Sequence, residues 1–352
     1  MKSEKIIKKI LYVGIPVWLM TVCAVPVMAA VITWDGSKST GYTDPENWVG
    51  GIRPASSLVT DIARFDDTNA IPFQPTINAN WSVNGVQFAG SGWTVGRSGT
   101  STLTIGNGGV SHNPVSAGAA TFNSKLGLGA NQAWDVGASS TINANGGIGG
   151  AAYTLTKTGA GRLVIRGGTD NTNTLGAIVV SAGELLVTSG TLDARLASVT
   201  VNSGALLGGA GNIFRPVTIE NGGTLAAGFD AAGTLTVGDL SLKNSSILAF
   251  ELGSLLGTND KIAAQNLVLD GLLNVTNLGG LQVGSYTLMT YSGTLTDNGL
   301  TINNVPVGFS GSISASGGIV NLNITTIPEP TTISLFVISS LGLIIIRRHR
   351  RG

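Results

Sequence analysis

Between Leu155 and Leu225 the apolar residues return in one short pattern: apolar, any, apolar, two turn residues, Gly, any, apolar. It fits Ile178, Val180, Gly183, Leu185 and again Val199, Val201, Gly204, Leu206. A third copy, Val217, Ile219 and Leu225, carries Gly222 and Gly223 with one inserted residue; a fourth, Leu240, Leu242, Ile247, has Ser245 at the Gly position. Each apolar-any-apolar piece has the period of a strand with one buried face, and the Gly, Asn or Ser that follows supplies a turn. The first positions, 178, 199, 217 and 240, lie 21, 18 and 23 residues apart. A unit of that size cannot bury its own apolar face, so copies must stack on one another.

Related pieces occur at Leu103, Ile105, Gly108, Val110, at Leu163, Ile165, Gly168, and at Leu267, Leu269, Gly271, Leu273. No stretch of the body has the period of a helix. The expected fold is all-β, a right-handed parallel β-helix or solenoid, with an antiparallel sandwich of short strands as the alternative.

The text divides into four parts. Residues 1–29 have a lysine-rich start, an apolar run from Ile10 to Val27 and a small-residue exit, the three parts of a secretory signal peptide cut at Ala29 or Ala30. An uncleaved anchor is the alternative, while Met20, Thr21 and Val22 before Cys23 do not form a lipobox. Residues 30–135 hold Trp34, Trp48, Trp81, Trp93 and Trp134, and are expected to cap the open end and form the first rungs. The rival reading makes these rings a platform for carbohydrate. Residues 136–326 are the repeat region. In 327–352, Pro328, Glu329, Pro330 precede an uncharged apolar run from Ile333 to Ile346 and a basic cluster, Arg347, Arg348, Arg350 and Arg351. Fourteen apolar residues are short for a bilayer span of about 17–25, though snorkelling arginines extend the reach and mark the cytoplasmic side.

Composition supports a folded β-body: charged residues are 11% of the chain and Gly number 51 of 352, whereas a disordered chain is rich in charge and poor in β-branched residues. From Ala30 to Ile346 there are 12 Lys and Arg against 18 Asp and Glu, a net of −6. Such a body offers nucleic acid no basic stripe. Cys23 is the only cysteine, so an exported, processed chain has neither a disulfide nor a thiol nucleophile.

Two resemblances follow from these residues. The tail, with Pro328, Glu329, Pro330, an apolar segment and terminal arginines, resembles the PEP-CTERM sorting signal of Gram-negative bacteria. That resemblance implies transient recognition by an exosortase, after signal peptidase has removed the leader, and release or transfer to the surface. The segment Leu155, Thr156, Lys157, Thr158, Gly159, Ala160, Gly161, Arg162, Leu163, Val164, Ile165 resembles the start of autotransporter-associated β-strand repeats, and 206–228 resembles their passenger rungs. No translocator barrel follows here, so the resemblance implies export by the general secretory route.

Catalytic constellations are sparse. Asp66 and Asp67 are adjacent, and neighbouring strand residues point to opposite faces. His112, the only histidine outside the tail, reads as a surface residue. Asp35, Asp44 and Glu46 could ligate calcium but lack the EF-hand spacing. Phosphate loops and zinc spacings are absent. The expectation is a non-enzymatic chain with no cofactor or bound metal: a secreted or surface-displayed, structural or adhesin-like solenoid, held transiently or permanently in the inner membrane by its last segment. Extracellular polysaccharide is a candidate partner. The alternative is a carbohydrate-binding or carbohydrate-active β-helix.

Overall fold

The computed structural model describes residues 29–327 except 68–72, 151, 167–173, 190, 193–197 and 229. The expected signal peptide up to Met28 and the expected sorting motif, Pro328, Glu329, Pro330, Arg347, Arg348, Arg350 and Arg351, lie outside the described residues. Helix is limited, among those described, to two 3-10 turns, Pro45–Asn47 and Val49–Gly51.

The short alternating pieces form strands that stack in register as a parallel β-solenoid. Three sheets line it, of 15, 11 and 7 strands. Twelve strands follow one another along the main path of the first sheet, from Ala30–Thr33 to Leu295–Asp297. Within the sheets antiparallel pairing is confined to the C-terminal end, where Ile319–Thr326 lies between Gly284–Tyr291 and Phe309–Ser316. The sandwich alternative is therefore not the fold.

Inward positions align from rung to rung. In the second sheet Ile142, Leu163, Leu185, Leu207, Leu225, Leu248 and Leu273 form one buried column. One column of the first sheet reads Ala63, Val86, Val110, Trp134, Lys157, Val180, Val201, Ile219, Leu242. Adjacent rungs are about 4.8 Å apart, so each apolar side chain is covered above and below by its counterparts. This vertical burial supplies the core that a single rung lacks.

The expected repeat needs a one-residue correction. Leu206 and Ile247 were expected at the inward position after the turn, but Leu207 and Leu248 occupy it, fully buried, while Leu206 and Ile247 are half-buried. The turn after Val201 is one residue longer than the turn after Val180, and a one-residue slip moves a strand side chain to the opposite face. Gly204 and Gly222, with φ of 76° each, make the longer turn in the left-handed region.

Asparagine at the corners ties successive rungs together. The side-chain oxygens of Asn80, Asn131, Asn221 and Asn266 accept the backbone N–H of Thr102, Thr154, Ser245 and Thr294, each one rung onward, at 2.8–3.1 Å. These bonds satisfy donors that the short strands leave free at the corners.

Candidate functional site

The Trp-rich end was the first candidate. Trp34, Trp48, Trp93 and Trp134 are 0–3% exposed. Trp34 and Trp48 meet edge to face at 5.1 Å, and the Trp48 Nε1–H donates to the Tyr42 carbonyl at 2.9 Å. The contacts continue through Phe65, Phe88 and Phe122 to Trp134, giving an unbroken aromatic column inside the first rungs. Edge-to-face and tilted pairs are favourable arrangements of ring quadrupoles, and the rings fill a wide core. Trp81 is half-buried beneath the Arg53 guanidinium, 4.7 Å from the ring centre. The rings therefore do not form a shared platform facing water.

His112 also belongs to this interior, contrary to the surface position expected. It is fully buried, packs edge-on to Phe88 at 5.9 Å, and its ring nitrogens lie 3.4 and 3.3 Å from the carbonyls of Phe88 and Gly118. Its strand alternates inward residues, and His112 takes such a position.

The acids sit apart. Asp66 pairs with Arg64 at 2.9 Å, whereas Asp67 accepts the Ser91 N–H at 3.3 Å. Of the calcium candidates, Asp35 accepts the Ser37 N–H, Asp44 accepts the Glu46 N–H, and Lys38 contacts the carboxylates of Asp44 and Glu46. A cation is thus already supplied by the chain. Among the described residues no group of three His, Cys, Asp or Glu side chains converges as a metal site would.

Lys157, within the repeat start, is fully buried between Trp134 and Val180 in the inward column. Its ammonium donates to the carbonyls of Thr158, Gly159 and Ala182 at 2.7, 2.8 and 3.2 Å. Burial pulls it down to about 8, with Asp135 and Glu184 opposing that shift. All three donors are occupied, so Lys157 ties a turn to the next rung.

A groove lies elsewhere, at the corner where strands of the third sheet end. It holds about 570 Å³ and crosses four successive rungs. Phe214, 46% exposed, stands at one end and Tyr291 at the other. Thr236, Gln265, Thr290 and Ser292 supply hydroxyl and amide groups between them, and no carboxylate, ammonium or guanidinium lines it. Two smaller grooves, of about 380 and 210 Å³, each carry a single charged residue, Lys261 and Asp239 respectively. The large groove suits a neutral, elongated ligand with apolar faces and hydroxyl edges. Sequence reasoning missed it because the equivalent residues of its rungs are 24–27 apart and meet only when the rungs stack; the available signal was an aromatic, Phe214, just beyond the inward Ile213.

No protein-family model matches the chain. A stretch is 44% identical over 108 residues to the Adhesin BmaC autotransporter of Brucella suis biovar 1 (strain 1330). That stretch is 28% of this chain and 3% of the Brucella protein. The homology and the parallel β-solenoid together fit autotransporter-associated repeats. Among the described residues no helix is long and apolar enough to cross a membrane.

Proposed function

We propose that this chain is a surface or extracellular adhesin-like β-solenoid that binds neutral polysaccharide of the cell envelope or matrix and performs no catalysis. The observation that carries the reading is the uncharged aromatic groove running along four rungs of a solenoid that shares sequence with an adhesin autotransporter. Aromatic faces stack on the apolar faces of sugar rings, while amide and hydroxyl groups bond their edges. Export by the general secretory route and trimming by an exosortase are parts of the same proposal. The leader, Pro328, Glu329, Pro330 and the terminal arginines support them, and cleavage after Ala29 leaves the first strand, Ala30–Thr33, whole.

Affinity electrophoresis of the exported protein through gels containing neutral envelope polysaccharide tests the binding. The wild type is retarded, and Phe214→Ala weakens retention roughly tenfold, as loss of an exposed aromatic anchor does. Equal mobility with and without polysaccharide, or an unaffected Phe214→Ala variant, rejects the groove as the seat. Chain shortening of the polysaccharide during incubation favours the carbohydrate-active alternative.

A further inference from the structure

The solenoid ends in an edge that nothing among the described residues protects. Strand Phe309–Ser316 pairs with Ile319–Thr326 on one side only and is the last strand of its sheet. Gly317 and Gly318, with φ of 60° and 83°, close the hairpin as a two-residue turn. The Ile327 N–H donates to the Gly308 carbonyl at 3.0 Å, which fixes the alternation of the antiparallel ladder. Residues 310, 312, 314 and 316 therefore turn their backbone groups to the inner partner. Gly311, Ile313 and Ala315 direct N–H and C=O outward, away from the sheet.

Natural edges are usually blunted by a Lys, a Pro, a bulge or a covering loop. Among the described residues this one has none along its eight positions. Moreover, residues 298–327, which build the whole terminal hairpin and the last strand of the second sheet, contain no Asp, Glu, Lys, Arg or His. The body between Ala30 and Ile346 carries a net −6. Two identical acidic bodies repel one another over most of their surface, and the uncharged end is where they can meet without like-charge contact. The exposed side chains on the edge strand are Ser310, Ser312, Ser314 and Ser316, small enough to lie opposite themselves.

We propose that strand Phe309–Ser316 pairs antiparallel with the same strand of a second copy, making a two-fold dimer joined end to end. With the axis at Ile313, Ile313 faces its own copy and Gly311 faces Ala315, so all three outward donors and acceptors are satisfied reciprocally. Ser312 then lies opposite Ser314 of the other copy. A dimer doubles the number of grooves on one particle, which raises avidity for a repeating polymer without any new contact. The pairing itself does not depend on the ligand.

The test is the mass of the exported protein, purified in mild detergent, by analytical ultracentrifugation. The wild type sediments as two chains. Ser312→Lys/Ser314→Lys and Ser312→Glu/Ser314→Glu, changed only at exposed positions, each sediment as one chain with unaltered circular dichroism. Mixing the two variants restores a two-chain species. A monomeric wild type, variants that remain dimeric, a mixture that stays monomeric, or an open-ended ladder of masses, the signature of head-to-tail stacking, overturns the proposal.

Discussion

Trp48 and Lys157 show how differently single residues can be read from a chain. Trp48 was legible as a core candidate because a first rung lacks a neighbour to cover it and large rings are the natural filler. Its contacts with Trp34, Tyr42 and Phe65 carry that role. Trp48→Ala is expected to lower stability by about 3–5 kcal/mol, as truncation of a buried aromatic does, without changing retention in polysaccharide gels; urea denaturation and the same gels check both halves. Lys157 was not legible as a core residue, since a lone lysine among Thr and Gly reads as solvated. Only the register places it in the column of Trp134 and Val180. Its folded form loses a proton near pH 8 and the unfolded chain near the ordinary 10.5. Between those values the unfolded state holds the extra proton, so stability rises with pH from about 8 to 10.5. The urea midpoint should increase across that window in the wild type, and Lys157→Met should flatten the rise.

Strands were legible as elements because period-2 apolar pieces survive any choice of boundary. The inward face after each turn was harder to read: nothing in Val201 to Leu207 marks which of two adjacent leucines follows the longer turn. Gly204 announces the turn but not its length, and pairing with Leu185 and Leu225 decides for Leu207. Leu207→Ala is expected to cost about 2–5 kcal/mol and Leu206→Ala less than about 1 kcal/mol. Thermal or urea unfolding of the two variants distinguishes the registers, and equal losses would contradict the assignment. The antiparallel hairpin after Tyr291 was also hidden, because Gly317-Gly318 looks like any other turn in so glycine-rich a chain. Its consequence is an edge, and the end-to-end dimer is the prediction that belongs to this scale.

For the whole molecule, the solenoid was the most legible feature, since recurrence near twenty residues leaves stacking as the way to build a core. Which corner carries the groove was not legible. The groove draws Phe214, Thr236, Gln265 and Tyr291 from separate rungs, and its lining depends on how far each turn protrudes. The match to an adhesin autotransporter covers a small part of both chains, so display at the surface is part of the proposal, supported by the order of leader, solenoid and sorting tail expected from the sequence. The most direct test is labelling of intact cells with a membrane-impermeant reagent, followed by intact mass of the labelled chain. Surface display predicts labelled protein whose mass runs from Ala30 to a terminus near Pro330. Protein that labels only after the cells are broken, with its full C-terminus in the inner membrane, would contradict it.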